Sequence, residues 1–190
     1  MNTTINIAIF ISGRGTNAKN IINYFSGNKL IKVVLVLSTK ENQSISALCQ
    51  DKNIVFLSPN SSQLATSFYL QQLQALNIDW IILAGFLRKI PHELIKYYPQ
   101  KIINLHPSLL PSFGGKGMYG DFVHQAVLAS GVEKSGITIH YVNEEFDQGE
   151  IIAQYSCKVD AADTVSMLSA KIHLLEQQYF PQIIEETISE

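Results

Sequence analysis

Cysteine is scarce in this chain. Only Cys49 and Cys157 occur among 190 residues, 108 positions apart, without metal-type spacing. That excludes a disulfide framework and a zinc ribbon, and leaves two ordinary thiols suited to a reducing, cytoplasmic setting. A basic block is missing too: fourteen Lys and Arg stand against sixteen Asp and Glu, for a net charge of −2, and charged residues make up only 16%. No nucleic-acid or anionic-membrane partner is expected from that balance. Long apolar runs are also absent, since the longest, Val33 to Leu37 and Trp80 to Phe86, fall far short of the ~20 residues that span a bilayer. The apolar start, Met1 to Ile11, has no basic flank before it and no small-residue cleavage site after it, so no secretory signal is expected. Repeats, low-complexity tracts and linkers are not seen. What is present is 46% apolar residues, and at this length folding buries roughly 70% of the unfolded surface without a metal or disulfide staple.

The apolar residues are arranged as short β-branched runs alternating with helix-period segments, the pattern of an α/β fold whose mostly parallel, twisted sheet carries helices on both faces. Strands are expected at Ile5 to Ser12, Ile31 to Ser38, Ile54 to Ser58, Trp80 to Gly85 and Lys101 to Leu105. The runs Ala8 to Ile11 and Val33 to Leu37 do not alternate, which places them at the sheet centre, buried on both sides. Helices are expected at Thr16 to Phe25, Ser44 to Lys52, Ser62 to Leu76 and Pro91 to Tyr98, with Ser44 and Ser62 as N-caps and Pro91 in a first turn. Further on, Gly136 to Val142 and Gly149 to Val159 are separated by only Asn143 to Gln148. That gap is too short for a helical crossover, so this pair is expected to be antiparallel. A final helix carries Val165, Leu168, Ile172, Leu175 and Tyr179 on one face and is expected to end near Pro181.

Two places in this pattern carry chemistry. The first is Ser12-Gly13-Arg14-Gly15-Thr16-Asn17, between the first strand and first helix, where backbone N–H groups and the helix dipole favour an anion. With Ala18 the spacing also satisfies G-x-G-x-x-A, so a dinucleotide must be weighed. A nicotinamide cofactor needs an acid at the end of the second strand, yet the chain there reads Ser38-Thr39-Lys40, with Glu41 displaced past it. A monophosphate is the better ligand, and a structural tight turn comes next, ahead of a dinucleotide.

The second place is Asn104 and His106, two apart at a strand end and so on one side of it, at the sheet edge where open α/β folds bind ligands. Pro107 stops the strand, and Ser108-Leu109-Leu110-Pro111 is an irregular turn suited to a cis proline. An imidazole and an amide NH2 together make a pocket for a developing oxyanion. Asp147, in the tight loop between the paired strands, is the carboxylate that could orient or charge the imidazole, raising its pKa by proximity. The alternatives are ordinary ones. Asp before a turn is common turn chemistry, and His140, beside Thr138 and Val142, reads as a hydrogen-bonded core histidine. A metal held by His106, His140 and Asp147 lacks any close-spaced ligand pair. His92, His124 and His173 have helical surroundings and no assigned role, and neither G-x-S-x-G nor an activated cysteine is present.

Taken together, Ile9 to Asn17 (IFISGRGTN), Leu83 to Ile90 (LAGFLRKI), Ile103 to Pro111 (INLHPSLLP), Gly136 to Val142 (GITIHYV) and Phe146 to Ile152 (FDQGEII) resemble the glycinamide ribonucleotide formyltransferases, folate-dependent enzymes of purine synthesis. The resemblance runs from the first strand to the last helix. It implies a single Rossmann-like formyltransferase domain over 1–190, with 1–100 as the phosphate-binding half and 101–190 as the catalytic and folate half. It implies that Asn104, His106 and Asp147 form the catalytic group and that Gly15, Thr16 and Asn17 hold the ribose phosphate. Glu176 would reach the glycinamide substrate, while Leu87, Arg88, Lys89, Ile90 and Asn104 would line the folate site. The co-substrate would be 10-formyltetrahydrofolate, with small-molecule substrates only and no metal.

The sequence departs from the family in two places. Ser62-Gln63 stands where many members carry a folate-holding Arg, and Gly114 to Gly120 is longer and richer in Gly than usual, suggesting a flap whose Lys116 faces an anion. Related families set the rivals. Methionyl-tRNA formyltransferases add a carboxyl-terminal RNA-binding domain and formyltetrahydrofolate hydrolases add a leading regulatory domain; neither is expected here. A non-catalytic nucleotide or folate module would not need Asn104, His106 and Asp147 together.

Overall fold

The computed structural model describes residues 4–59 and 66–189. Along the chain it has β1 (Ile5–Ile11), α1 (Thr16–Tyr24), β2 (Ile31–Ser38), α2 (Gln43–Asp51), β3 (Val55–Leu57), α3 (Thr66–Ala75) and β4 (Trp80–Leu83). Then follow α4 (His92–Tyr97), β5 (Ile102–His106), α5 (Asp121–Ser130), β6 (Lys134–Tyr141), β7 (Ile151–Lys158) and α6 (Val165–Ser189). Among the described residues the strand order is β3-β2-β1-β4-β5-β6-β7. This is the expected α/β architecture, mostly parallel, with one antiparallel pair toward the C-terminus. The chain divides into two compact units, Met1–Ile103 and Asn104–Glu190, so the division falls within β5.

In the first unit β1 has parallel neighbours on both sides, with Ile9 beside Val36 of β2 and Ile82 of β4. Ile7 to Ile11 are fully buried, which is why the run is apolar without alternation. Phe10 packs its ring 5.8 Å from Tyr69 and 5.3 Å from Phe86. Burial of each such side chain contributes about 1.5–3 kcal/mol. Ile21, Ile45 and Leu73 are the buried anchors of α1, α2 and α3.

Several expected boundaries move. Asn42, not Ser44, caps α2, its Oδ1 accepting the Ile45 N–H at 3.1 Å. Pro91 is the N-cap of α4, extended at ψ 141°, one residue outside the first turn. Strand β4 ends at Leu83, because Gly85 turns into the left-handed region at φ 77°. The expected Ser62 cap, and Ser62-Gln63 in the folate argument, lie outside the described residues.

In the second unit, β6 and β7 pair antiparallel as expected, with Ile137 opposite Tyr155 and Thr138 opposite Gln154. β6 begins at Lys134, two residues before Gly136, and Ser135 to His140 are buried. β7 is shorter than the expected Gly149 to Val159. Helix α5 was not bounded by the sequence pattern, because His124 takes an inward position with Val123 and Val127 and breaks the apolar period. The final helix does not end near Pro181. It continues to Ser189 with Phe180, Pro181, Ile183, Ile184 and Ile188 buried, and that packing outweighs the ~3 kcal/mol cost of an interior proline. Tyr179 stacks flat on Tyr155, with ring centroids 3.6 Å apart.

Candidate active site

The first unit supplies the Gly-rich β1–α1 junction. Gly15 occupies the N-cap of α1 in the left-handed region (φ 79°), and a Cβ there would meet Ile45 Cγ1 at 2.6 Å. Only glycine suits that position. The Asn42 amide donates to the Gly13 and Arg14 carbonyls at 3.1 and 3.2 Å, so two loop oxygens are turned to α2. No acidic residue stands in the first turn of α1, where Thr16 and Asn17 sit among N–H groups that have no helical acceptor. Ser12 ties this loop to the Leu87 segment: its N–H donates to Gly85 O at 3.0 Å and its Oγ accepts from Leu87 N–H at 3.0 Å. Leu87, Arg88 and Lys89 are exposed, whereas Ile90 is buried.

The second unit gathers Asn104, His106 and Asp147, and adds His140. Asp147 Oδ2 lies 3.4 Å from His106 Nδ1 and accepts the Gly115 N–H at 2.9 Å. Its Oδ1 accepts from Asn104 Nδ2 at 3.4 Å and lies 3.7 Å from His140 Nε2. His106 is 3% exposed and His140 is 2% exposed.

Backbone partners settle where the ring protons sit. A carbonyl only accepts, so His106 Nε2, 2.9 Å from Phe113 O, carries a hydrogen, and so does His140 Nδ1, 2.8 Å from Tyr141 O. Asn104 Nδ2 in turn faces His140 Nε2 at 3.0 Å and Asp147 Oδ1 at 3.4 Å. Both amide protons of Asn104 are thus engaged, and facing an oxyanion requires releasing one; the Asp147 contact is the longer. His106 Nδ1 faces the Asp147 carboxylate, so a proton between them is bound by both groups.

The electrostatics refine the expectation about charge. Burial pushes the His106 imidazole below its ordinary value, and the Asp147 carboxylate and Phe113 carbonyl, which favour the charged form, only partly offset that. Asp147 acts with the expected sign, but the net direction is downward. Burial pushes Asp147 up, yet His140, His106 and the Gly115 N–H together hold its carboxyl below the usual range. Asp147 itself takes a left-handed backbone (φ 55°), which aspartate tolerates better than most residues.

Asp147 also borders a cavity of about 410 Å³ whose walls include Leu110, Pro111, Phe146 and Gln148, a size suited to a small organic ligand. The Leu110–Pro111 peptide is cis, as the turn suggested. Glu176, on α6, is largely buried and accepts from His173 Nδ1 at 2.9 Å, while Gln177 Nε2 donates to His173 Nε2 at 3.2 Å. Lys116 in the Gly-rich loop is exposed. The sequence pattern gave no role to His173, Gln177 or Phe113, placed Gly115 only within a Gly-rich flap, and read His140 first as a core histidine. The i,i+3 spacing of His173 and Glu176 was the one available signal. Among the described residues no group of three His, Cys, Asp or Glu is arranged to hold a metal ion.

A doubly wound sheet with an Asn, His and Asp group at a strand end defines the class, and the comparisons agree: residues 5–184 match the formyl transferase family, to which this chain belongs. It is similar to the phosphoribosylglycinamide formyltransferase of Bacillus subtilis, 35% identical over 187 residues, covering 95% of this chain and 93% of that one. The chloroplastic phosphoribosylglycinamide formyltransferase of Arabidopsis thaliana is 38% identical over 185 residues; 94% of this chain is covered, but only 63% of that relative. Among solved structures, phosphoribosylglycinamide formyltransferase from Bacillus halodurans superposes with a TM-score of 0.86 at 31% identity, covering 97% of this chain and 96% of that one. Among the described residues no helix is long and apolar enough to cross a membrane.

Proposed function

We propose that this protein transfers the formyl group of 10-formyltetrahydrofolate to the free amine of 5'-phosphoribosylglycinamide, in a reducing cytoplasmic compartment, as a step of purine synthesis. The observation that carries the reading is the Asn104, His106 and Asp147 group, built round the buried His106 ring, with Asp147 on the wall of a cavity. In this reading Gly15, Thr16 and Asn17 hold the ribose phosphate and Glu176 takes the glycinamide side. Leu87, Arg88, Lys89 and Ile90 flank the folate together with Asn104. The amine nitrogen attacks the formyl carbon, and the carbonyl oxygen becomes an oxyanion that donors at Asn104 and His106 stabilise. The nitrogen then loses its proton toward the His106 and Asp147 pair, directly or through water. The bond to the folate nitrogen breaks, that nitrogen is protonated, and formylglycinamide ribonucleotide and tetrahydrofolate leave.

The test is incubation with both substrates, followed by folate absorbance and product mass. The expected result is formylated ribonucleotide in step with tetrahydrofolate, unchanged by a chelator. Formate release without the amine substrate would assign a hydrolase. Preference for a formyl-acceptor RNA would assign the tRNA-directed relatives. Folate binding without turnover would leave a binding module.

A further inference from the structure

Leu168, Ile172, Phe180 and Ile184 form a buried apolar stripe along α6 at a spacing of four, and the position in its middle is Glu176. The Glu176 side chain is only 14% exposed. Taking a carboxylate out of water is costly, and an apolar residue in that place would continue the stripe without the cost. An acid kept there needs a donor, which comes from one turn back on the same helix. His173 Nδ1 lies 2.9 Å from Glu176 Oε2; a carboxylate only accepts, so Nδ1 carries the hydrogen. Gln177 meets the far nitrogen of the ring, Nε2 to Nε2 at 3.2 Å, and steadies its plane. Glu176 also bears on the buried His124 of α5, favouring the charged form of that ring. An exposed i,i+3 pair adds little to a helix, but here the acid is turned inward and the imidazole, 36% exposed, is the partner nearer solvent.

We propose that His173 is a positioning residue for the amine substrate: by donating Nδ1–H to Glu176 Oε2 it holds the carboxylate in the orientation that receives an N–H of the glycinamide group, so that the acceptor is bound by its amine and not by its phosphate alone. The inference rests on the reading of Glu176 as the glycinamide contact, and adds the group that makes this contact effective. A glutamate side chain turns about several bonds, and ordering it is a cost of binding. Fixing it before the substrate arrives removes that cost. A carboxylate offers about four acceptor positions, so one bond to His173 leaves room for the amine.

The experiment is titration calorimetry of the full chain with a pair of ligands that share the ribose phosphate, 5'-phosphoribosylglycinamide and ribose 5-phosphate. His173→Leu should weaken the first about 10-fold, the worth of one hydrogen bond, and leave the second unchanged. In steady-state kinetics the ribonucleotide KM should rise while the folate KM stays. His173→Asn should restore binding, because its amide nitrogen stands where Nδ1 stood, whereas His173→Gln carries its donor out to the place of Nε2 and should not. A merely structural role predicts the opposite order, since Asn is a poorer helix former than Leu or Gln. In a Glu176→Gln background His173→Leu should add no further loss, as expected of a residue that acts through another. Leu174→Ala, at a neighbour that is 67% exposed, should alter neither ligand. If His173→Leu does not fold, the order of the Asn and Gln variants decides. A folded His173→Leu protein that binds 5'-phosphoribosylglycinamide as tightly as the native chain overturns the inference and leaves the function standing, and equal weakening of both ligands overturns it too. A native chain that draws no more affinity from the glycinamide ligand than from ribose 5-phosphate removes the reading of Glu176, and the inference with it.

Discussion

At the scale of the residue, the site depends on which hydrogen faces which lone pair. Asp147 has four calls on two oxygens, from Gly115 N–H, Asn104 Nδ2, His106 Nδ1 and His140 Nε2. Asp147→Asn keeps the size of the side chain but puts N–H donors where an acceptor is needed. Turnover should fall by orders of magnitude with the cavity's shape retained, and His106, having lost the group that raises its pKa, should titrate lower still by NMR. An unchanged His106 titration would reduce Asp147 to a loop residue. His106→Ala should be as damaging alone as together with Asp147→Asn, because the two receive one proton as a unit. Losses that multiply in that cycle would deny the coupling. Asn104→Ala should cost about 100- to 1,000-fold in kcat, as removal of one oxyanion donor does.

At the scale of the element, junctions matter more than interiors. The β1–α1 junction owes its shape to Gly15 and to Asn42, which caps α2 and holds two loop carbonyls at once. Thr16→Ala should weaken ribose 5-phosphate or the full ribonucleotide by about 1.5–3 kcal/mol, the worth of a hydrogen bond to a charged group. Titration calorimetry should find folate affinity unchanged; a loss on the folate side instead would move the loop to the other ligand. Helix α6 is decided by packing past its proline. Ile184 is fully buried there, so Ile184→Ala should cost about 2–5 kcal/mol in urea unfolding. A near-zero cost would mean that the last turns are not part of the fold's stability.

At the scale of the whole molecule, acid is the expected weakness. Burial lowers the pKa of both His106 and His124 below the ordinary 6.5. An unfolded chain therefore binds protons that the folded one refuses, and stability is full above pH 6.5 and declines as pH falls through that value. Asp147 and Asp160, with folded pKa values also depressed, extend the loss below the ordinary 3.8, Asp160 down to about 2. Since His124 is buried and its Nδ1 has no hydrogen-bond partner, His124→Leu should flatten the first part of that decline in melts between pH 7.5 and 5. An identical acid limb would clear His124. These effects mark the boundary of what could be read from the chain alone. The unalternating run Ala8 to Ile11 announced a strand buried on both faces, and the Gly-rich junction and the Asn104, His106 and Asp147 motifs were legible as candidate sites, because periodicity and local residue choice are properties of neighbouring positions. The sequence also determined that β6 and β7 run antiparallel, since six residues cannot hold a crossover helix. Only the tertiary structure decided that His140 joins Asn104, His106 and Asp147, that Asn42 serves α2 and the β1–α1 loop together, and that α6 continues through Pro181. It alone decided that burial outweighs Asp147 in lowering the His106 pKa. Each of those outcomes depends on burial and on contacts between distant positions, and desolvation is set by everything that surrounds a group, which no local pattern records.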